Sequence, residues 1–314
     1  MPRLPTFFIV GAPKAATTSL YHYLGQHPEI YVSPIKEPHF FASEIRMENF
    51  DPAFRHHAER ETRALREFLA GPMQGRRLGG IVSEWDDYLR LFARANGERA
   101  LGEASTGYLW SPTAAERIAG TVPDARILVM LRDPADRAYS QYLHGLGNGA
   151  IRWSFREHIR RSLANRSTRF SIHYPFLEFG LYFEQLRRYL DRFGRNVWIG
   201  FQEDLLARPL AVILDACRFL GVSPEFTPDV AQRHLQARVP RTAVAGWLRR
   251  SGWWNAIARV TPPTLRPSIR RALTREPRAG MDRSDRRYLV DFYREDVGKT
   301  AGLLGCDLGA WLRD

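Results

Sequence analysis

The chain of 314 residues is 44% hydrophobic, enough to bury a large core, and we expect a single domain over residues 1–314. It has no run of about 18 apolar residues and no signal-peptide pattern, which predicts a cytoplasmic protein without a membrane span. Its two cysteines, Cys217 and Cys306, lack the spacing of metal ligands, so we expect small core residues of a reducing compartment.

The charge of the chain is uneven in both position and type. Of the formal net charge of +12, most comes from residues 233–287, which hold fourteen arginines against three acidic residues. Among the 46 basic residues only Lys14, Lys36 and Lys299 are lysines. A lysine ammonium is compact where a guanidinium is wide and planar, so the two early lysines indicate a role that arginine cannot fill. Chance placement is the alternative.

The first predicted elements are a strand, a loop and a helix over residues 7–24. Residues 7–10 form an unbroken apolar run, typical of a strand buried on both faces of a parallel sheet, and Leu20 and Leu24 repeat at helical spacing. Backbone N–H groups and the positive end of the helix then point at the loop, which predicts an anion site. In the usual ATP-binding loop a lysine directly precedes a serine or threonine. Here Lys14 lies three residues before Thr17, so that pattern is absent.

The next informative stretch is Ser-Pro-Ile-Lys-Glu-Pro-His-Phe-Phe, residues 33–41. Its prolines favour an extended backbone, which would place Glu37 and His39, two candidate proton acceptors, on one face. A solvated Lys–Glu pair in a proline loop is the other interpretation.

Residues 44–80 are interpreted as an insertion over the sheet edge or the site. Glu103, in a predicted strand at residues 100–105, either faces the site or forms an internal salt bridge.

A second strand–turn–helix unit is predicted around residues 125–142. Residues 127–131 are apolar, and Asp133 with the proline after it is a good helix start. Arg132 would then stand at the carboxyl end of the strand, where open α/β sheets bind ligands, with Ser140 about two turns into the helix. We expect Arg137 to form a structural salt bridge. A further strand at residues 197–201 completes the alternation, which predicts an α/β three-layer sandwich with a central parallel sheet.

Three of these stretches resemble motifs of one enzyme family. Pro-Lys-x-x-Thr-Thr-x-Leu resembles the phosphosulfate loop of sulfotransferases that use 3′-phosphoadenosine 5′-phosphosulfate (PAPS). Lys-Glu-x-His-Phe-Phe resembles an element of the heparan-type carbohydrate sulfotransferases, and Arg132 with Ser140 resembles the family's 3′-phosphate motif. The resemblance spans residues 7–222 and suggests a bacterial member with the P-loop-like sulfotransferase fold. Many members have glycine where this chain has Ala16, so the alanine predicts a backbone without positive φ there.

The resemblance implies transfer of a sulfuryl group from PAPS to an acceptor hydroxyl on a carbohydrate, lipid or other small molecule, without a metal. Lys14 would neutralise charge on the bridging oxygen, Glu37 would be the general base with His39 as the other contender, and Arg132 and Ser140 would hold the 3′-phosphate. The 5′-phosphate would be held by the loop, which comprises Lys14, Ala15, Ala16, Thr17, Thr18 and Ser19. Arg238 and Arg241 are candidates to close over the 3′-phosphate and the adenine.

Two other functions remain open from the sequence. A P-loop kinase of a small molecule would share the fold but would need Mg-ATP, and a nucleic-acid binder would explain the basic C-terminal region. No nucleic-acid motif is recognisable, so we expect no nucleic-acid partner. The region near 233–287, with Trp247, Trp253 and Trp254, is interpreted as a lid or an acceptor wall; peripheral contact with a membrane is the alternative. The acceptor and the oligomeric state stay open.

Overall fold

A parallel sheet of five strands forms the centre of the protein, whose computed structural model describes residues 3–231, 239–240, 261, 274–275 and 280–314. The strands of this sheet are β1 (Phe7–Gly11), β2 (Ile30–Val32), β5 (Ala100–Ala104), β6 (Arg126–Leu131) and β7 (Val197–Phe201). Their order is β2-β5-β1-β6-β7, and every pairing is parallel. A second, two-stranded parallel sheet pairs β3 (Ile35–Lys36) with β4 (Arg77–Leu78).

Helices cover the sheet in two groups. The helices are α1 (Thr17–Leu24), α2 (Pro52–Ala70), α3 (Trp85–Arg90), α4 (Ala114–Thr121), α5 (Pro134–Asn148), α6 (Phe155–Ala164), α7 (Tyr182–Phe193), α8 (Gln202–Ala207), α9 (Pro209–Leu220) and α10 (Arg283–Leu304). Helices α1 and α9 pack on each other, whereas α7 packs on α4 and α10, and α1, α7 and α9 all contact sheet strands. The α/β three-layer sandwich with a central parallel sheet is therefore confirmed.

The central strands follow from their sequences. Every residue of β1 is buried, and so is every residue of β6 after Arg126, because apolar side chains on both faces need cover on both sides. Strand β1 ends at Gly11, where an added Cβ would lie 2.6 Å from the Cβ of Leu109. Any other residue at this position would clash with the segment that follows β5, so glycine is needed where the loop after β1 begins.

Helix α5 begins as its sequence predicts. The side chain of Asp133 accepts hydrogen bonds from the backbone N–H groups of Ala135 and Asp136, and Pro134 occupies the first turn. The other carboxylate oxygen of Asp133 lies 2.7 Å from Arg286 on α10. The C-terminal helix is thereby attached to the start of α5, one residue after Arg132.

The C-terminal part differs from expectation in two details. The sequence predicts a helix near residues 282–304 that docks on the core through Tyr288, Leu289, Phe292 and Tyr293. Leu289 and Tyr293 of α10 are buried, but Tyr288 and Phe292 are 46% and 36% exposed. Cys217 is buried as expected, whereas Cys306 is only half-buried and follows the end of α10. Tyr288 and Phe292 are exposed because Leu289, Tyr293, Val297 and Thr300 form the buried stripe of α10.

Little of the basic region 233–287 belongs to the described residues. Strand β8 (Val239–Pro240) pairs antiparallel with β9 (Thr274–Arg275), and β8 lies against α5. Arg238, Arg241 and the three tryptophans lie outside the described residues. Among the residues that are described, no helix combines the length and apolar character needed to cross a membrane.

Candidate active site

The loop between β1 and α1 presents an uncapped helix start. Ala16 is the N-cap residue of α1 and has no side-chain group to cap it. The N–H groups of Thr17, Thr18 and Ser19, in the first turn, have no carbonyl partner within the helix. Lys14 and Ala16 adopt positive φ values of 68° and 60°. The prediction that Ala16 has no positive φ is therefore wrong: the tight turn requires the left-handed conformation, and alanine adopts it here.

Lys14 projects into a largely desolvated environment. Burial lowers the pKa of Lys14 from 10.5 to about 8, Glu37 opposes this shift, and Arg132 adds to it. The backbone carbonyl of Lys14 accepts a hydrogen bond of 3.2 Å from Nη1 of Arg132. The loop after β1 and the residue after β6 thus meet at the carboxyl edge of the sheet, where the sequence predicts them.

The carboxylate of Glu37 is held by three neighbours. Oε1 accepts a hydrogen bond of 2.9 Å from Nζ of Lys36, and Oε2 accepts one of 2.8 Å from the Thr106 hydroxyl. Oε2 also lies 3.4 Å from Nε2 of His39. Burial raises the pKa of Glu37, but Lys36, His39 and Thr106 outweigh it and bring the pKa to about 2. Glu37 is therefore ionised throughout the physiological range.

The backbone around Glu37 differs from the extended segment that its prolines predict. Glu37 and His39 have φ values of 76° and 54°, both in the left-handed region. Tertiary hydrogen bonds hold this conformation: the N–H of Glu37 donates to the Ala104 carbonyl, and the N–H of His39 donates to Oγ of Ser105. The argument from alternating side chains is therefore wrong, although the two side chains do lie together.

Lys36 is fixed by the segment that follows it in sequence. Its side chain is only 2% exposed, and the Gly79 N–H donates to its carbonyl over 2.6 Å. Strand β4, at the far end of the predicted insertion, pairs with β3 and places Lys36 opposite Leu78. The position of Lys36 beside Glu37 thus depends on residues about forty positions later in the chain.

One cavity of about 650 Å³ joins most of the predicted site residues. Those that line it are Lys14, Ala16, Thr17, Thr18, Ser19, Glu37, Arg132 and Ser140. Ala15 is buried in the core instead, and His39 is not part of the cavity lining among the described residues. Burial lowers the pKa of Arg132, which Asp136 opposes, but the guanidinium keeps its charge at neutral pH.

The cavity also contains residues that the sequence alone does not single out. Thr106 follows β5 and reaches Glu37, and His144 lies one helical turn beyond Ser140 on the same side of α5. The position of His144 in the site could have been predicted from its spacing of four residues from Ser140, since residues i and i+4 share a helix face. The far wall is mainly apolar and includes Leu205, Leu206 and Val230.

Within the described part of the chain, Arg137 does not form its predicted salt bridge, and Glu103 does not form the salt bridge that was one of its two interpretations. Arg137 is completely buried and donates to Oε1 of Gln141 and to the Phe176 carbonyl, with no carboxylate at ion-pair distance. Glu103 is also completely buried, and its carboxylate accepts hydrogen bonds from hydroxyl groups only. At both side chains, neutral hydrogen-bond partners take the place of ions of opposite sign.

The chain belongs to the sulfotransferase family, whose model matches residues 5–228. A sulfotransferase of Alicyclobacillus acidocaldarius is similar in structure, with a TM-score of 0.71 and 31% identity over 99% of this chain and 100% of that one. The chain is 26% identical over 99% of its length to the mouse bifunctional heparan sulfate N-deacetylase/N-sulfotransferase 4. It is 28% identical over 51% of its length to the rat carbohydrate sulfotransferase 15. It spans about a third of these two curated relatives, 31% and 30% of their lengths.

Proposed function

We propose that the enzyme transfers a sulfuryl group from PAPS to an acceptor hydroxyl, using Glu37 as the general base. One observation carries this proposal: Lys14, Glu37, Arg132 and Ser140 line the same cavity. The cavity therefore combines cations for an anionic donor with a carboxylate for the proton of the acceptor.

The donor half of the cavity fits a nucleotide with phosphate groups at both ends. Its volume of about 650 Å³ lies within the roughly 300–1,000 Å³ of small-molecule sites. Lys14 and the first-turn N–H groups of α1 would hold the 5′-phosphosulfate, and Arg132 with Ser140 would hold the 3′-phosphate. The apolar wall near Leu206 and Val230 suits the adenine. The bound donor supplies the transferable sulfuryl group.

The acceptor half is organised around Glu37. Because its pKa is about 2, the carboxylate is ready to accept a proton but holds it weakly. Proton transfer is then expected late, when the bond to sulfur has made the acceptor oxygen acidic. The Thr106 hydroxyl and the Lys36 ammonium orient the carboxylate, and Lys14 neutralises charge on the leaving oxygen. Glu37 is preferred to His39 as the base because Glu37 lines the cavity.

The acceptor is proposed to be a carbohydrate hydroxyl, with a sugar amino group as the second candidate. The mouse relative is named a heparan sulfate N-deacetylase/N-sulfotransferase, a name that refers to transfer to nitrogen. In this chain the ionised Glu37 would face a neutral sugar amine and accept the proton that the nitrogen releases as its bond to sulfur forms. Both candidates use the same donor and the same base.

Binding of the nucleotide is tested by calorimetry with adenosine 3′,5′-bisphosphate (PAP), 5′-AMP and Mg-ATP. We expect PAP to bind most tightly, and Arg132→Lys to lower its affinity by about tenfold or more while leaving 5′-AMP nearly unchanged, since lysine cannot form a bidentate pair. Tighter binding of Mg-ATP than of PAP would favour the kinase instead.

Transfer is tested with ³⁵S-labelled PAPS and two polysaccharide probes, heparosan and N-deacetylated heparosan. Label in both supports a hydroxyl acceptor, and label in the deacetylated probe alone supports an amine. Glu37→Gln is expected to reduce transfer by about a hundredfold or more, with PAP affinity retained. A Glu37→Gln enzyme of normal rate would contradict the assignment of the base.

The basic region near 233–287 is proposed to be a lid on the donor site within a single domain. The position of β8 against α5, which carries Ser140, supports this proposal. A nucleic-acid partner would instead predict salt-dependent binding of DNA or RNA. Titration of a labelled DNA duplex at two salt concentrations distinguishes the two.

A further inference from the structure

A buried carboxylate lies beneath the loop that carries Glu37, and the proposed mechanism does not use it. Glu103, the penultimate residue of β5, is completely buried. Oε1 accepts hydrogen bonds from the hydroxyls of Tyr88 and Tyr108 over 3.0 and 2.8 Å, and Oε2 accepts one from Ser105 over 2.6 Å.

Two of these three hydroxyls are connected onward to the loop. Oγ of Ser105 accepts the N–H of His39 over 3.0 Å, and the Tyr108 hydroxyl accepts the N–H of Phe41 over 3.1 Å. Each hydroxyl therefore gives its proton to Glu103 and offers a lone pair to the backbone of the loop. A hydroxyl has one proton to donate, so the carboxylate determines the direction of both hydrogen bonds.

This direction matters because the loop is strained where it carries Glu37. Glu37 and His39 both have positive φ, a conformation that side-chain-bearing residues adopt only when their surroundings hold them there. Without acceptors for the N–H groups of His39 and Phe41, the loop would lose two of the bonds that oppose its return to ordinary backbone geometry.

From this arrangement we propose that Glu103 is a positioning residue for the general base. Through Ser105 and Tyr108 it fixes the loop that carries Glu37, without touching the donor or the acceptor. The inference rests on the proposed function of Glu37. Burial raises the pKa of Glu103 to about 7, against the hydrogen bonds from Ser105, Tyr108 and Tyr88, so the tests are made at pH 8.5.

Glu103→Gln keeps the shape of the side chain, but it removes the negative charge and leaves one acceptor oxygen in place of two. The amide NH₂ cannot accept a proton, so either Ser105 or Tyr108 loses its acceptor and its fixed orientation toward the loop. Tyr108→Phe removes the second connection while keeping the ring. The matched control is Tyr293→Phe, since Tyr293 is equally buried and its hydroxyl donates to the Leu177 carbonyl, away from the loop.

The first readout separates turnover from donor binding. With ³⁵S-labelled PAPS and the better of the two polysaccharide probes, Glu103→Gln and Tyr108→Phe should lower kcat about tenfold to a hundredfold, as expected for a misplaced base. Their affinity for PAP, measured by calorimetry, should stay within about twofold of wild type, because Lys14 and Arg132 are untouched. Tyr293→Phe should keep both values near wild type.

The second readout does not depend on turnover. The side-chain NMR signal of His39, identified by its absence from His39→Gln, should shift in Glu103→Gln and Tyr108→Phe and stay in place in Tyr293→Phe. An unmoved His39 signal in both test variants overturns the inference, as does an equal loss of kcat in the control. If the wild-type protein binds no PAP and transfers no label, the proposed function fails, and the NMR comparison still decides whether Glu103 positions the loop.

Discussion

Replacing Lys14 by methionine should stabilise the ligand-free protein while it destroys the donor site. The fall in the Lys14 pKa from 10.5 to about 8 means that folding makes its protonation less favourable. At roughly 1.4 kcal/mol per pKa unit, the charged ammonium lowers the free energy of unfolding by about 3 kcal/mol. Methionine has a similar length and no charge, so Lys14→Met should recover up to about that amount at pH 7.

The stabilisation by Lys14→Met should depend on pH in a direction that follows from the lowered pKa of Lys14. Below pH 8 Lys14 is protonated in both the folded and the unfolded chain, and the full penalty is present. Between pH 8 and 10.5 the folded protein loses the proton first and the penalty declines. The advantage of Lys14→Met over wild type should therefore shrink as the pH rises through this range.

Urea unfolding at pH 7 and pH 10 measures the stabilisation by Lys14→Met and its change with pH. Lys299→Met is the matched control, because Lys299 is 53% exposed and pairs with Glu295 on the surface of α10; no measurable change is expected. The reasoning is refuted if Lys14→Met is less stable than wild type at pH 7, or if its advantage is the same at both pH values.

Three further predictions concern the loop, the C-terminal helix and the pH profile. Ala16→Gly should stabilise the protein by about 0.5–1 kcal/mol in thermal unfolding, because glycine accepts positive φ without strain; a loss as large as that of the control Ala15→Gly would contradict this. Arg286→Met should destabilise the protein by about 2 kcal/mol in urea, because it leaves the buried Asp133 carboxylate unpaired, whereas the exposed Arg287→Met should have no measurable effect. For the wild-type enzyme, kcat/KM for PAPS should fall as the pH rises through about 8, where the ligand-free Lys14 loses its proton; a flat profile to pH 9.5 would argue against a protonated Lys14.

The features predictable from sequence are those set by local patterns. Apolar runs at β1 and β6 identify central strands, and Asp133 with Pro134 identifies the start of α5. Because Lys14 and Arg132 follow the carboxyl ends of these strands, the sequence predicts that they lie near each other, and in the structure they are joined by a hydrogen bond.

The parts that fail depend on contacts between distant residues. Glu37 and His39 have positive φ because β5 and the residues after it bind their backbone N–H groups, about seventy positions away. Arg137 donates hydrogen bonds to a carbonyl and an amide, and Glu103 accepts them from hydroxyls, partners that charge pairing alone does not predict. The exposure of Tyr288 likewise depends on which helices cover α10.

The pairing of β3 with β4 connects the 44–80 segment to the pKa of the proposed base, Glu37. Residues 77–79 clamp Lys36, and Lys36 is a main reason that the Glu37 carboxyl is so acidic. A change in the length of this segment should therefore shift the pKa of Glu37 even when every residue that lines the cavity stays the same.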